Sequence, residues 1–457
     1  MTDKILTASA EASAIKKVTI YSNLGGEKSV EITSGITLLM YFESILQDTI
    51  RATIRFVDSG DSAKSGDGDG NKTVREGLPL VGQERVRLEF EDNNEVGIGG
   101  GPELILYVNK ITPVQSDTST ELIQLELVSK EFILNEKVRI NTRFDGKISD
   151  HIETILTDQT YLRSEKELHI EDTENEFNFN GHNKKPFYML NALSKKSVPV
   201  GKGGTAAGFF FYETSNGFNF KSLDALLDPS KNPKKKSIIY NETPESKGQN
   251  LPEGYDMKAL EYELDNRVDV QEKLRLGAYS SKMILFDPFN CYYEVITDSV
   301  IESGDGKDTE QSAGKELPVL NSEFNTINDG ENKEFSRTTY FLVDHGSLPS
   351  GDTSQQIDDA EKQNFEYFKI ANQSIRRYNQ FYASKVTITL PGDFSLHVGD
   401  AIFVDAPGLT AEKTGENDQQ AGGIYIIADL CHYMTPKNTY TKLNLVRDSF
   451  GRKGTAS

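Results

Sequence analysis

The sequence has little cysteine and no long apolar run, and each shortage excludes a class of protein. Its 457 residues include two cysteines, Cys291 and Cys431, too few for a disulfide framework or a four-cysteine zinc cluster. We therefore expect the chain to mature in a reducing compartment. No apolar run approaches the ~20 residues of a membrane-spanning helix, and the N-terminus lacks the apolar core of a secretory signal. The sequence thus predicts a soluble protein made in the cytoplasm, without membrane insertion.

Basic residues are scarce relative to acidic ones. Lysine and arginine number 50 against 70 aspartates and glutamates, which gives a net charge of −20. Such a surface repels the phosphate backbone, so general nucleic-acid binding is disfavoured. The charge fits either a solvated acidic face or an acidic wall that DNA passes without sticking.

Two glycine-containing stretches begin like ligand-binding loops but do not complete the pattern. The segment Asp67 to Asn71 opens like a calcium loop, yet Lys72 stands where glycine is needed and Leu78 where glutamate is needed. The segment Gly201 to Gly204 lacks the spacing of a phosphate-binding loop. Both are interpreted as polar loops, so the sequence predicts no cofactor or metal site.

Three further clusters contain reactive residue types without a catalytic arrangement. Asp344 to Ser347 places triad residue types side by side, whereas triads are assembled from distant segments. Cys431 and His432 are adjacent on a predicted strand and would face opposite ways, with the cysteine in the core and the histidine outward. The lysines of 231–236 fit a solvated turn better than a site for an acidic partner. We predict no catalytic residues and no enzymatic activity.

Alternating apolar and polar residues predict short strands over most of the chain. Val386 to Leu390 alternates as a strand does, whereas Ile148 to Leu162 and Pro186 to Leu193 fit helices. The fold class is α+β and predominantly β, with two homologous antiparallel β-barrel domains, an intervening α/β domain and acidic loop insertions. We assign 1–14 to a flexible tail, 15–140 to a first barrel, 141–265 to the α/β domain, 266–300 with 370–450 to a second barrel, 301–369 to an insertion and a helix leading into it, and 451–457 to a tail.

The insertions at 58–73 and 301–335 are rich in Asp, Gly and Ser. They lack the apolar residues that would offset an ordering entropy of roughly 1–2 kcal/mol per residue. We therefore predict that 301–335 is dispensable for folding.

An internal duplication relates the first predicted barrel to the second. Gly82 to Tyr107 spans 107 − 82 = 25 positions, and Gly399 to Tyr425 spans 425 − 399 = 26. From each tyrosine to the valine that ends the last strand, the spacing is 128 − 107 = 21 and 446 − 425 = 21. Because the spacings agree jointly, we predict that Gly82 and Gly399 occupy equivalent turns in two superposable barrels.

Several motifs in order resemble one family. They are Phe211 to Phe220 followed by Leu223 to Leu226, Leu390 to Gly392 with Val398 to Asp400, and Leu445 to Ser449. Together with the duplicated barrels, they resemble the central baseplate hub protein of contractile-tailed bacteriophages, from about residue 15 to residue 450. No single motif is diagnostic, and the acidic insertions have no counterpart in the resemblance.

The resemblance implies a structural, non-enzymatic protein of the virion, located in the tail baseplate and assembled in the host cytoplasm. It implies a homotrimer with tube-like barrels, which carries a cell-puncturing spike below and starts the tail tube above, alongside other baseplate proteins. Six barrels from three chains would form a pseudo-six-fold ring whose acidic lumen lets DNA pass without specific binding. No cofactor is implied.

Two other functions stay open. The first is the related hub of a contractile injection or secretion system, which would be marked by a spike helix or effector fused after the last barrel. The chain stops at Ser457, which we take to favour the phage hub with a separate spike. The second is a tail-associated cell-wall hydrolase, which a zymogram on peptidoglycan would reveal.

Overall fold

The described residues up to position 130 fold mainly into antiparallel strands. In chain order the elements are β1 (Ala14–Tyr21), β2 (Ser29–Glu31), β3 (Ile36–Ser44), β4 (Arg51–Asp58), β5 (Ala63–Lys64), β6 (Asn71–Lys72), α1 (Val74–Gly77), β7 (Arg85–Glu91), β8 (Leu104–Ser116) and β9 (Glu121–Val128), with a 3-10 helix at Thr33–Gly35. The computed structural model describes residues 14–23, 28–60, 63–64, 71–92, 95–98, 103–200, 208–240, 251–265, 269–288, 291–299, 312–318, 321–324, 327–328, 331–332, 336–343, 352–355, 367–408 and 417–456.

These strands form where the alternation of apolar residues predicts them. In β7, for example, Val86, Leu88 and Phe90 are buried, and the residues between them are partly exposed. Side chains two positions apart lie on one face of a strand, so this pattern turns a single apolar face into the core.

The next hundred residues form a smaller α/β region with its own apolar core. Its elements are α2 (Lys130–Lys137), β10 (Arg143–Phe144), α3 (Ile148–Thr157), β11 (Leu168–Ile170), β12 (Phe179–Asn180), α4 (Pro186–Ser194), β13 (Phe209–Thr214), β14 (Gly217–Ser222) and α5 (Leu223–Leu227). Ile148, Ile152 and Ile155 are fully buried on one face of α3, which confirms the predicted helix. β13 and β14 pair antiparallel as a hairpin around Ser215 and Asn216.

The remaining chain returns to strands. Its elements are β15 (Ser237–Ile239), β16 (Met257–Lys258), β17 (Glu261–Asp265), α6 (Val270–Leu276), β18 (Ser280–Asp287), β19 (Tyr292–Ser299), β20 (Ile327–Asn328), β21 (Glu331–Asn332), β22 (Arg337–Leu342), α7 (Tyr367–Gln380), β23 (Ser384–Pro391), β24 (Ala401–Asp405), β25 (Gly423–Met434) and β26 (Thr439–Arg447), with a 3-10 helix at Ser322–Phe324.

The strands at 280–299, predicted as part of the second barrel, form but do not join the main sheet. β18 pairs with β19 and with β22 in a separate three-stranded sheet. The main sheet takes β15, β16 and β17 instead, although residues 237–265 were predicted to belong to the α/β domain. The short apolar runs were recognised correctly, but periodicity carries no information on the partner of a strand.

Fourteen strands form one continuous sheet that divides into two groups of seven. The N-terminal strand group is β1–β4 with β7–β9, in the spatial order β2-β1-β7-β8-β9-β4-β3. The C-terminal strand group is β15–β17 with β23–β26, in the order β16-β15-β24-β25-β26-β23-β17. When the strands of each group are ranked by position in the chain, the two orders are identical. The predicted duplication is therefore matched in strand order. The direction of the first strand differs, because β15 pairs in parallel with β16 and β24, whereas β1 pairs antiparallel with β2 and β7.

The long hairpins of the two groups also agree in detail. Asp117 donates its backbone N–H to the carbonyl of Thr120 in the β8–β9 turn, and Thr435 donates to Asn438 in the β25–β26 turn, both at 2.9 Å. An irregularity in pairing follows Val108 in the first hairpin and Ile427 in the second. β-bulges of this kind bend a strand, so both hairpins bend at the same place.

The equivalent of Gly399 is Gln83, one residue from the predicted Gly82. The backbone N–H of Gln83 donates to Val108 O, and that of Gly399 donates to Ile427 O. In return, Val108 donates to Glu84 O and Ile427 donates to Asp400 O. Gln83 has φ 69° and Gly399 has φ 88°, so both lie in the left-handed region that favours glycine. The turns are equivalent as predicted, with the register shifted by one residue.

The two predicted barrels are not confirmed. Among the described residues, the strand order of each group stays open, and the groups are connected through β3 and β25. The structure is thus predominantly β, with large sheets rather than closed cylinders.

Candidate functional site

The two strand groups are joined by direct pairing between β3 and β25. Residues 39–44 of β3 run antiparallel to residues 429–434 of β25, so that Phe42 lies opposite Cys431 and Tyr41 opposite His432. We call this pairing the internal joint. It makes one sheet from two repeats, and it places charged side chains of both repeats next to the α/β region.

Glu43 lies in the internal joint, opposite Leu430, and is 2% exposed. Its Oε1 accepts hydrogen bonds from the Tyr41 hydroxyl at 2.7 Å and from the backbone N–H of Ser215 at 2.8 Å. Its Oε2 accepts from the backbone N–H of Val398 at 3.1 Å, and His397 Nδ1 lies 3.5 Å from Oε1. One carboxylate therefore binds the N-terminal group, the α/β hairpin and the C-terminal group.

Glu43 and His397 stabilise each other's charged forms. Burial raises the pKa of the Glu43 carboxyl, but the charge of His397 and the hydrogen bonds to the carboxylate outweigh it and lower the pKa below 4.5. Burial likewise lowers the pKa of His397, but the carboxylate of Glu43 outweighs it and raises the pKa above 6.5. The pair is thus ionised on both sides over the mildly acidic range.

A second buried cluster binds the α/β region to the turn between β3 and β4. The Lys166 ammonium lies 2.5 Å from Glu213 Oε1 and 2.8 Å from Glu131 Oε2. Glu213 Oε2 accepts from the Ser129 hydroxyl at 2.7 Å and from the backbone N–H of Ile50 at 3.1 Å. Burial lowers the pKa of Lys166, but the two carboxylates raise it overall. A buried charge costs free energy unless it is paired. The pairing of Lys166 with the two glutamates therefore fixes the position of the α/β region against the turn between β3 and β4.

A third set of contacts ties part of the 301–335 insertion to the end of the C-terminal group. Asp448 accepts the backbone N–H of Ala313 at 3.0 Å, and the hydroxyl of Ser449 accepts that of Gly314 at 2.6 Å. Ala313 is 2% exposed. Residues 313–316 of this insertion are thus hydrogen-bonded to the segment that follows β26, and the dispensability of 301–335 for folding stays a prediction.

The sequence motifs fall in different places from these clusters. His432 is buried and stacks on Tyr41 at 5.8 Å between ring centroids, whereas Cys431 is partly exposed. The predicted orientation of this pair, with the cysteine inward, is reversed. Burial lowers the pKa of His432 to about 4, so the ring is neutral at pH 7.

The lysines of 231–236 mostly contact the chain itself. Lys231 lies 3.0 Å from Glu171, Lys234 donates to the backbone of the C-terminal segment, and Lys236 pairs with Asp393. Calcium-loop residues 67–70, the glycine loop 201–204 and the Asp344 to Ser347 cluster lie outside the described residues. Within the described ranges, no group of three or more His, Cys, Asp or Glu side chains is placed to hold a metal ion.

Sequence reasoning missed Glu43 and His397. The signal available was an acidic residue directly after the apolar run Leu38 to Phe42, since an acidic residue is unusual in a buried position. Glu43 is buried and accepts hydrogen bonds from Tyr41, Ser215 and Val398, so it binds three segments of the chain to one another. None of the described helices is long and apolar enough to cross a membrane.

The edges equivalent to the internal joint carry no strand partner within the described part of the chain. β8 is the counterpart of β25, and beyond Val108 it pairs with β9 alone. β17 is the counterpart of β3 and pairs with β23 alone. Apolar side chains are exposed on both, with Val114 of β8 at 48% and Leu264 of β17 at 37%.

Comparison with known proteins shows which solved structures have a fold similar to that of this chain. No family model and no curated protein matches the chain. The 43 kDa tail protein of prophage MuSo2 from Shewanella oneidensis aligns over 95% of this chain and 98% of its own, with 11% identity and a TM-score of 0.51. A tail protein from Neisseria meningitidis MC58 aligns over 94% and 96%, with 9% identity and a TM-score of 0.48. Prophage tail protein gp18 from Listeria monocytogenes EGD-e aligns over 94% of each chain, with 10% identity and a TM-score of 0.44.

The first of these similarities extends over both strand groups and the α/β region. At 11% identity it establishes the architecture and leaves the activity to other arguments. The resemblance to phage tail proteins, predicted from the sequence, is confirmed at this level: the chain shares the fold of a prophage tail protein over nearly its whole length.

Proposed function

We propose that the protein is a structural hub of a contractile phage-tail baseplate, and that three copies form a ring between a three-fold spike and a six-fold tail tube. The observation that carries the proposal is that β3 pairs with β25 inside the chain, while the equivalent edges of β8 and β17 have no further strand partner among the described residues. The fold of a prophage tail protein supports the same assignment. On this proposal the protein acts in the virion, is assembled in the host cytoplasm and catalyses no reaction.

The repeat supplies the geometry of the contact between chains. Inside one chain, β25 of the C-terminal group pairs with β3 of the N-terminal group. By the equivalence of the groups, β8 of the N-terminal group would pair with β17 of the next chain. The contact is heterologous, because the two partners are different surfaces. Heterologous contacts end without a filament only when they close into a ring.

The register of the internal joint predicts the register between chains. Cys431 faces Phe42 in the joint. The hairpin pairings make Thr112 the counterpart of Cys431, and the pairings of β4 and β23 make Asp265 the counterpart of Phe42. Thr112 of one chain would therefore face Asp265 of the next. Pro113 follows Thr112 and has no N–H, so this pairing has one donor fewer than an all-amide strand pair.

Three chains would supply 3 × 2 = 6 similar strand groups. A ring of six similar units can meet a six-fold tube on one face. The chains themselves are related only by a three-fold axis, so the other face can meet a trimeric spike. The ring would surround the channel for DNA, and the net charge of −20 supports a wall that DNA passes without sticking.

Disulfide cross-linking tests the contact between chains. Thr112→Cys and Asp265→Cys are combined in a chain that also carries Cys291→Ser and Cys431→Ser. Directly opposed strand residues have Cα atoms about 4.5–5.5 Å apart, within reach of a disulfide. Mild oxidation is expected to give a covalent species of three chains on a non-reducing gel, and a reductant should return it to single chains.

Two matched variants make the result specific. Phe42→Cys with the native Cys431, in a Cys291→Ser chain, should give a cross-link inside one chain and no rise in mass. Thr112→Cys with Glu261→Cys places the second thiol about 13 Å along the strand, at ~3.3 Å per residue, and should give no trimer. The proposal fails if the Phe42 variant cross-links while the Thr112 and Asp265 variant stays a single chain.

Light scattering of the complex with the neighbouring spike protein tests the stoichiometry. The expected complex holds three hub chains and three spike chains. Any other ratio would end the ring model, even if the cross-link forms.

A further inference from the structure

A half-open groove of about 830 Å³ lies between the α/β region and the small sheet β19-β18-β22. Its floor is formed by Phe209 to Phe211 of β13, and Met283 and Phe341 line the side of the small sheet. Leu46, in the turn between β3 and β4, stands at its mouth and is 65% exposed. The groove is separate from the internal joint and from the edges of β8 and β17.

Two helices each present one face to the groove. On α4 and the residue after it, Tyr188, Asn191, Ala192 and Lys195 line the groove with the spacing i, i+3, i+4, i+7, and Ser194 lines it as well. On α7 and the turn after it, Ile375, Tyr378, Asn379 and Tyr382 follow the same spacing. Residues so spaced lie on one face of a helix. A groove between two helix faces has the shape that takes a third helix.

The charge around the groove is opposite to that of the protein. Lys195, Lys196 and Arg337 are among its lining residues, and no aspartate or glutamate is found among the described residues that line it. The chain as a whole carries 70 acidic and 50 basic residues. Asp48 is the nearby carboxylate, and it accepts the side-chain amide of Asn191 at 2.6 Å. A partner that places carboxylates beside an apolar stripe is complementary to this local charge.

We propose that this groove docks an amphipathic α-helix of a partner protein, with an apolar stripe facing the groove and acidic residues along its flanks. The inference depends on the groove alone and holds whether or not the chain forms a ring. The exposure of two lining side chains favours a helix over a small amphiphile. Tyr188 is 58% exposed and Leu46 is 65% exposed, and a buried small molecule would leave both in water.

Fluorescence anisotropy with synthetic peptides tests the proposal on the full chain. The probe is a fluorescein-labelled 18-residue helical peptide with a leucine and alanine stripe and glutamate elsewhere. A second peptide keeps the stripe and replaces each glutamate with lysine. We expect saturable binding of the acidic peptide and at least tenfold weaker binding of the basic one.

Variants locate the binding. Leu46→Glu and Tyr188→Glu each place a carboxylate at the mouth of the groove and are expected to weaken the acidic peptide at least tenfold. The matched control is Tyr340→Glu, because Tyr340 is 77% exposed and alternates with Phe341 on the other face of β22. The control should bind as the unmodified chain does, and circular dichroism checks that all three variants are folded.

Each other result overturns the proposal. Binding that survives both mouth variants, or that is lost equally in Tyr340→Glu, places the peptide elsewhere. Absence of binding by either peptide removes the helix as the occupant. A fluorescent fatty-acid analogue that binds the groove while the peptide does not would assign it to a small amphiphile.

Discussion

The two strand groups share one strand order but differ in what connects their third and fourth strands. In the N-terminal group, β3 and β4 are linked by residues 45–50, a turn of 51 − 44 − 1 = 6 residues. In the C-terminal group, β17 and β23 are separated by 384 − 265 − 1 = 118 residues, which include the small sheet and α7. A long insertion costs little where both ends already lie together, since loop-closure entropy grows only slowly with length. The repeat therefore keeps its core and varies its connections.

The groups also differ in the third strand itself. β3 is paired with β4 on one edge and with β25 on the other, and its residue Glu43 is buried. β17 is covered by β23, and most of its residues are exposed. One strand position thus serves as a buried joint in one repeat and as an open edge in the other. An exposed edge is a ready site for pairing with another chain.

Removing the buried carboxylate is expected to have the largest effect on this comparison. Glu43→Ala leaves the N–H groups of Ser215 and Val398 without their acceptor and His397 without its counter-ion. Breaking a buried, hydrogen-bonded ion pair costs about 3–5 kcal/mol, so the urea unfolding midpoint should fall sharply. The matched change Glu263→Ala, on the exposed counterpart strand β17, should stay within about 0.5 kcal/mol. Equal losses of stability in the two variants would show that Glu43 stabilises the protein no more than an exposed residue does.

The two equivalent turns offer the next test. An added Cβ at Gly399 would lie 2.2 Å from the hydroxyl oxygen of Tyr212, which is buried, and φ there is 88°. Gly399→Ala should cost about 2–5 kcal/mol, with roughly 1–2 from the backbone conformation and the rest from crowding. At Gly82, φ is also positive, but an added Cβ meets nothing within 4 Å.

Gly82→Ala should therefore cost only about 1–2 kcal/mol. Thermal unfolding of the two variants side by side measures the difference. A larger loss at Gly82 than at Gly399 would contradict the packing described around Tyr212.

The ion pair of the internal joint should make stability depend on pH. The pKa of His397 is raised in the folded chain, so its contribution is complete below about pH 6.5 and is lost as pH rises through the folded value. The pKa of Glu43 is lowered, so its contribution is complete above about pH 4.5 and is lost in stronger acid. Between these values both groups stabilise the joint fully.

His397→Gln should thus cost about 1.5 kcal/mol at pH 6 and clearly less at pH 8, measured by urea unfolding. Asp400 and Lys235 also act on this ring and remain in the variant, so the change between the two pH values reports the loss of the imidazole charge. A cost that is the same at both pH values would mean that His397 is neutral in the folded chain.

Sequence patterns predicted the helices and strands better than they predicted which strands pair with one another. The strand at 386–390 and the helices from Ile148 and Pro186 form as predicted, because a single apolar face is encoded locally. β18 and β19 were assigned to the wrong sheet, because pairing across long separations is set by tertiary packing. Gly82 was matched to Gly399 instead of Gln83, because spacing alone cannot detect a shift of one residue.

The candidate site was the least predictable part. Glu43 and His397 are separated by 397 − 43 = 354 positions, and their contact exists only once β3 pairs with β25. The orientation of Cys431 and His432 was reversed for a related reason. Alternation places the two residues on opposite faces, but only the partner sheet decides which face is inside.

The smallest expected effect separates the two parts of the acidic insertion. Residues 301–311 have no counterpart in the N-terminal group, and their composition of Gly, Asp, Glu and Ser offers little apolar area to bury. Replacing 301–311 with a Gly/Ser linker of equal length should shift stability by less than about 0.5 kcal/mol.

Extending the replacement through residue 318 gives the matched comparison. The longer replacement keeps the backbone N–H groups but removes the buried methyl group of Ala313. Its residues have no preference for the native conformation, so Glu316 would no longer be held against Phe450. Phe450 donates its N–H to Glu316 O at 2.7 Å and accepts from Lys315 and Glu316, so a flexible replacement must be ordered at roughly 1–2 kcal/mol per residue to keep these bonds. Differential scanning calorimetry should show an unchanged midpoint for the shorter replacement and a lower one for the longer. An unchanged midpoint for both would mean that residues 312–318 contribute nothing to the sheet on which they pack.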